Sequence, residues 1–242
     1  MKNKILENFK ILLYALIIAI IIRSLFFQPF YIPSSSMEPT LLVGDRLFVS
    51  KYSYGYSKHS FPFSPKIFNK RLFFKKPKRG DVIVFKTPAD NRTDYIKRLI
   101  GLPGDKLQIL NGDLYINNNL VNKIKTKISL NITCGEEVIS ANTFEEKLSN
   151  GKKHFTAYRK IGTMKNSDIF IVPEDHYFFM GDNRDCSKDS RFLSSVGYVN
   201  FENIVGKAEL IFFSNNKKNG SLWTFWKWGK SIRFNRILKK IK

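Results

Sequence analysis

The stretch "PSSSMEPT" (Pro33–Thr40) sets three consecutive serines between two prolines, directly after an apolar N-terminus. Serine beside proline usually marks a loop, because proline fixes its own φ and biases the preceding residue toward extended backbone. A hydroxyl on so constrained a loop is also placed to attack a carbonyl, if a base takes its proton. Histidine is a poor source of that base here. His59, His154 and His176 lie far apart, and only His176, in "PEDHYFFMGDN", is near a conspicuous motif, where a turn or strand position accounts for it. No H-E-x-x-H, Cys/His cluster, G-x-G-x-x-G or P-loop is present, so neither metal nor cofactor is expected.

Lysine is the remaining candidate. It accepts a serine proton only when neutral, so its ordinary value near 10.4 must fall to about 7–8, disfavouring the ammonium by roughly 3–4 kcal/mol. Burial among apolar groups does this. In "DYIKRLIGLPGD", read as a strand, Tyr95, Lys97 and Leu99 share one face, and Ile96, Arg98 and Ile100 share the other. Lys97 thus has an aromatic and an aliphatic neighbour on its own face and no carboxylate there. Spacing alone does not separate this arrangement from a strand lysine that faces water.

The elements that must hold these groups begin with a membrane segment. Ile11–Ile22 is unbroken apolar sequence, and Ile11 to Phe27 counts 17 residues, at the short end of the roughly 17–25 that span a bilayer. Arg23 sits near the outer end and can snorkel to the head groups. Bulky "LFFQPFYIP" follows rather than a small-residue cleavage site, which favours an uncleaved anchor over residues 11–30 rather than a removed signal peptide. Lys2, Lys4 and Lys10 precede the span, and no Lys or Arg lies between Arg23 and Arg46. The positive-inside rule then puts residues 1–10 in the cytoplasm and the remaining chain outside.

Beyond Pro33 the sequence reads as β. "GDVIVFK", "YIKRLIG", "KLQIL" and "DLYIN" around an Asn-Gly turn, and "ENIVGKAELIFF" are short β-branched or aromatic runs bounded by turn residues. The expected fold is mostly β: an antiparallel sheet domain from residues 31–107 and 168–215, an inserted smaller β-subdomain over 108–167, and one N-terminal transmembrane helix. Residues 53–77, aromatic, basic and proline-punctuated, read as an extended excursion. Residues 216–242 hold all three Trp and, from Ser221, seven Lys/Arg, with apolar residues at roughly helical spacing from Ile232. That pattern suits a membrane surface. Lys+Arg 41 against Asp+Glu 20 gives a net charge of +21, which calls for anionic partners such as acidic lipid head groups. Cys134 and Cys186 leave open either one bridge or two free thiols.

Five stretches, "IPSSSMEPTL", "RGDVIVFKTP", "YIKRLIGLPGDKL", "GDNRDCSKDSR" and "ENIVGKA", follow one another after a single N-terminal span. In that order they resemble the motif boxes of bacterial type I signal peptidases (leader peptidases), and they cover about 170 residues of the chain. The resemblance implies Ser36 as nucleophile and Lys97 as general base. It implies Ser34 as the hydroxyl that joins the Ser36 N–H in an oxyanion hole, and Ser187 as the hydroxyl that orients the lysine. Asp189 and Arg191 match a loop-holding ion pair, and Met37 lies where the substrate-binding wall begins, with Tyr95 a second binding residue. Ser35 and Cys186 depart from the usual Gly and Asn, which puts local loop geometry and thiol sensitivity in doubt.

The function so implied is a membrane-bound endopeptidase that removes signal peptides from exported preproteins after small residues, through an acyl-enzyme. It would sit in the cytoplasmic membrane with its domain on the outer side. Its partners would be preprotein signal peptides and anionic lipid, with no cofactor, metal or nucleic acid. Two rivals stand beside it. One is a serine–lysine autoprotease of the cytosolic repressor kind, which carries no anchor. The other is a noncatalytic anchored β-protein that binds lipid or an envelope partner through its basic surface.

Overall fold

Helix α1 (Lys2–Leu25) opens the chain, and its segment Lys4–Leu25 is long and apolar enough to cross a membrane, with mean hydropathy 2.3 and its apolar stretch exposed. The computed structural model describes residues 2–65, 70–135, 137–216 and 228–242. The helix starts earlier and stops sooner than the anchor expected over 11–30. Lys4, Glu7 and Lys10 are ordinary helix formers, whereas Phe27–Tyr31 forms strand β1 against β2 (Asp45–Ser50). β1 is an edge strand with β2 as its one ladder partner, which is where Pro29 is tolerated.

The fold is mostly β, as expected. Its main sheet adds β3 (Val82–Lys86), β4 (Asp94–Gly101), β12 (His176–Met180), β13 (Val199–Asn200), β14 (Ile204–Ser214) and β15 (Lys239–Lys240). The order is β1-β2-β14-β3-β4-β12-β13, all antiparallel, with β15 beside β14. The run "VIVFK" is apolar on both sides because this sheet is covered on both faces. Val82 and Val84 pack with Met37, Leu41 and Leu47, while Ile83 and Phe85 pack with Leu99, Phe179 and Val199.

Residues between β4 and β12 form two further sheets. β5 (Lys106–Leu110), β6 (Asp113–Ile116), β7 (Asn119–Leu120) and β11 (Phe170–Ile171) make one. β8 (Asn122–Cys134), β9 (Glu137–Lys147) and β10 (Lys153–Arg159) make the other. Asn111 and Gly112 both take positive φ at the β5–β6 turn, the geometry that Asn-Gly permits. The first of these sheets does not close a core of its own: Leu107, Ile109 and Leu114 pack with Ile100, Phe178 and Met180 of the main sheet. The excursion over 53–77 is gathered by a Tyr56–Leu72 bridge and by Arg71, which donates to the carbonyls of Gly55, Phe201 and Ile204.

The C-terminal segment differs from the amphipathic stretch read from its spacing. Trp223 and Trp226 lie outside the described residues. Residues 228–242 form a short helix (Trp228–Ser231), a 3-10 turn (Phe234–Arg236) and β15, folded back on β14. Their arginines point inward: Arg236 pairs with Asp45 and donates to the Thr40 carbonyl, and Arg233 donates to the Val43 carbonyl. Buried acceptors left by the loop after β1 outcompete the membrane surface for these two charges.

Candidate active site

The loop from Pro33 to Leu41 leaves β1 and is closed by two turn bonds, Glu38 N–H to Ser35 O and Leu41 N–H to Met37 O, both 2.9 Å. It is anchored below by Met37 and Leu41, which are fully buried. Met37, expected where the substrate-binding wall begins, is buried directly below Ser36, because the turn drives its side chain under the sheet. Ser36 stands above it, with Ser34 Oγ 3.4 Å from Ser36 Oγ.

Opposite lies Lys97 of β4. The register explains its position. β12 pairs β4 only as far as Met180 opposite Arg98, so beyond that point β4 meets the loop that starts at Gly181. Lys97 is 3% exposed, and its Nζ lies 2.6 Å from Ser36 Oγ. This is a hydrogen bond in either state: the ammonium donates, and the neutral amine accepts from the hydroxyl. Nζ also lies 3.0 Å from the Ile96 carbonyl and 5.2 Å from the centre of the Tyr95 ring. Burial lowers its pKa to about 8, against the opposing pull of Asp189 and Asp182. Among the described residues no carboxylate pairs with it.

Gly181 shows how tightly the two loops meet. A Cβ there would fall 2.2 Å from Ser187 Oγ and 2.4 Å from the Ser36 carbonyl. Its φ is not positive, so glycine is needed here for close approach rather than for turn geometry. Asn183, read from sequence as a turn residue, is instead a brace. Its N–H donates to Ser36 O and its side-chain amide to Ser35 O, each at 3.2 Å. Asp189 accepts from Gly181 N–H at 2.8 Å and is gripped by Arg191 through both guanidinium edges, so the expected ion pair is present. Arg191 pulls the Asp189 carboxyl below its usual range although burial works the other way. Ser187 is buried, and its hydroxyl makes no hydrogen bond to Lys97.

Several supporting residues were not picked out by motif reading. Arg98, next to Lys97, is bidentate to Asp182 at 2.8 and 2.7 Å, and Thr40 Oγ1 donates to the same carboxylate at 2.5 Å. Strand alternation had put Arg98 on an apolar face, the one signal that it must be buried and paired. Glu146 and Arg184 form a second buried pair, joined by Tyr158, and β10 runs beside Asn183. Cys134 and Cys186 are joined in a disulfide, which resolves the open alternatives and removes Cys186 as a free thiol. With Glu38, which accepts from Thr133 N–H at 3.1 Å, it fastens the tip of β8 beside the serine loop. Between them opens a cleft of about 1040 Å³ whose walls include Ser34–Ser36, Tyr95, Lys97, Thr133 and Val138. No cluster of three or more His, Cys, Asp or Glu suited to a metal occurs among the described residues.

A family model described as "Signal peptidase, peptidase S26" matches residues 5–213. The chain belongs to that family. Curated proteins named signal peptidase I are similar over nearly its whole length. The protein of Rickettsia bellii (strain OSU 85-389) is 41% identical over 253 residues, covering 97% of this chain and 85% of its own. That of Rickettsia typhi (strain ATCC VR-144 / Wilmington) is 40% identical over 254 residues, covering 97% and 93%. A crystal structure of a signal peptidase I from Enterococcus faecalis V583 is 28% identical, covers 55% of this chain and 97% of that one, and superposes with a TM-score of 0.35. Membership makes the chain a serine endopeptidase, and with its apolar helix a membrane-anchored one. The noncatalytic alternative falls with it.

Proposed function

We propose that the chain removes N-terminal signal peptides from exported preproteins, with Ser36 as nucleophile and Lys97 as its general base. The contact of 2.6 Å between Ser36 Oγ and a buried amine whose pKa is lowered to about 8 carries the reading. Neutral Lys97 takes the hydroxyl proton as Ser36 Oγ bonds to the scissile carbonyl carbon. Lys97, now an ammonium, returns that proton to the leaving amine, and water then hydrolyses the acyl-enzyme. The Ser34 hydroxyl and the Ser36 N–H hold the oxyanion; that N–H donates to no other group among the described residues. Ser187, buried across Gly181 and beside Asp189, gives the new ammonium an acceptor.

Residues 94–97 of β4 have a ladder partner on one side only, the β3 side. An extended substrate adds as a strand along that free edge, beside Tyr95. Specificity for small residues on either side of one exposed position follows from such a strand pressed against a closed wall. The disulfide fits an oxidising compartment, and so supports a domain on the extracytoplasmic face of the cytoplasmic membrane, with anionic lipid beside it.

The test is cleavage of a preprotein carrying an A-x-A site by the full chain in detergent. Wild type cuts after that site, and Ser36→Ala and Lys97→Ala do not while keeping the native circular dichroism. Near-normal turnover by Lys97→Ala at neutral pH would show that the base is another group.

A further inference from the structure

A second pocket, of about 550 Å³, lies beside the cleft and shares Phe30 and Asp94 with it. Its cations are Arg23, in the last turn of α1, Lys58, Lys86 and Arg92. Two carboxylates line it against these four cations, which leaves two positive charges in excess. Asp94 is already paired with Lys86 at 2.9 Å. Asp90 is consumed by its own turn, accepting from the N–H groups of Arg92 and Thr93 and from the Thr93 hydroxyl. The side chains of Arg23, Lys58 and Arg92 have no ion-pair partner among the described residues.

His59 supplies an independent sign. It is 5% exposed and lines this pocket, its Nδ1 is bonded to Ser64 Oγ, and its Nε2 is buried without a partner. A buried ring nitrogen left unsatisfied is costly unless something completes it. With Ser64 donating to Nδ1, the Nε2–H is a donor. Burial, and then the surrounding Lys58, Lys86, Arg71 and Lys51, push the His59 pKa down to about 4, so the ring stays neutral.

Depth identifies the occupant. Arg23 closes a helix long enough to cross a bilayer, and exposed aromatic side chains stand around that end: Phe26, Phe27, Tyr52 and, on the pocket itself, Phe63. Aromatic rings flanked by basic groups mark the head-group level. We propose that this pocket binds the phosphate of an anionic phospholipid in the leaflet where α1 ends, held by Arg23, Lys58 and Arg92 with the His59 Nε2–H. This rests on α1 being a membrane span, and it makes specific the lipid contact named above. Because Phe30 and Asp94 line both cavities, the bound head group borders the substrate cleft.

The test is native mass spectrometry of the full chain in detergent, titrated with phosphatidylglycerol, with diacylglycerol and inorganic phosphate as separate arms. Wild type retains phosphatidylglycerol and not diacylglycerol, and equimolar inorganic phosphate does not displace the lipid. Lys58→Gln with Arg92→Gln weakens retention about tenfold. The charge-matched Lys160→Gln with Lys165→Gln, at exposed positions elsewhere, leaves it unchanged. Arg92→Gln alone, on an exposed connection, covers a failure of the double variant to fold. Equal binding by wild type and the pocket variants would overturn the proposal. So would equal loss in the control pair, or full displacement by inorganic phosphate, which would mean a free-phosphate site. Ser36→Ala retains the lipid while losing cleavage, so the two proposals fail separately.

Discussion

Two lysines among the described residues are almost completely buried, and comparing them shows what a general base requires. Lys51 is 1% exposed, and burial lowers its pKa to about 7; Lys97 is 3% exposed and stands at about 8. If a depressed pKa chose the base, Lys51 would be chosen. Its Nζ, however, donates to the His59 carbonyl at 3.2 Å and meets no hydroxyl. Lys97 has Ser36 at 2.6 Å and a cleft beside it. Geometry selects the base, and the pKa then makes it usable at neutral pH. Arg98, one residue on, is the third case: equally buried, its guanidinium is a permanent charge, and Asp182 meets it through Nε and Nη2.

The largest effect that tests this comparison is loss of the dyad. Ser36→Ala and Lys97→Ala each lower kcat/KM by roughly 10⁴-fold or more, and the double variant is no worse than either single one, because the two act as a unit. Lys97→Arg is as inactive as Lys97→Ala, since a guanidinium does not give up its proton in this range. Additive losses in the double variant would mean that the two residues do not share a step.

Next comes the pair that keeps the neighbouring charge. Asp182→Asn leaves the Arg98 guanidinium buried without compensation and weakens the acceptor of Thr40, so it costs about 3–5 kcal/mol in denaturant unfolding. Because Thr40 lies on the serine loop, kcat falls as well. A variant with wild-type stability would show that Arg98 needs no counterion, and the contrast with Lys97 would lose its meaning.

The pH profile is smaller and sharper. Lys97 works when neutral, so kcat/KM rises with pH to a plateau above about 8 and falls about tenfold per pH unit below it. The sign for stability is the same. Between about 8 and the ordinary lysine value of 10.5 the unfolded amine holds a proton that the folded one has lost, so stability increases with pH across that window. A profile flat from pH 6 to 9 would remove the lysine as base.

Much of this was legible before any coordinates. Asn-Gly at 111–112 pointed to a hairpin, "GDVIVFK" read as a strand, and alternation in "YIKR" set Lys97 beside Tyr95 and Leu99. The site residues that were missed are those whose role depends on a distant partner. Asn183 reads as a turn residue until the serine-loop carbonyls are seen against it, and Glu38 as a surface acid until β8 is in place. The burial of Met37 was hidden for the same reason: its neighbours in sequence are at the site, and its packing partners in space are Leu41, Leu47 and Val84. The C-terminal spacing suggested an amphipathic segment because Ile232, Phe234, Ile237, Leu238 and Ile241 recur at roughly helical spacing, and periodicity is blind to a carboxylate such as Asp45, 191 residues earlier in the chain, that draws Arg236 inward.

The smallest expected effect on catalysis falls on the other lysine, and there the comparison is most exposed. Lys51→Met replaces a buried amine that has one protein acceptor with an apolar chain of similar length. Since no hydroxyl is in reach, kcat/KM stays within about twofold of wild type and the pH midpoint of activity does not move. Stability responds instead. At pH values below about 7 the wild-type amine is protonated in an environment that disfavours the charge, so the variant melts at higher temperature there. Between about 7 and 10.5 the wild type recovers ground as its folded amine sheds the proton that the unfolded chain still holds, and the variant loses this rise. A drop in kcat comparable to that of Lys97→Ala would mean that a buried lysine matters to this enzyme for a reason other than its distance from a serine.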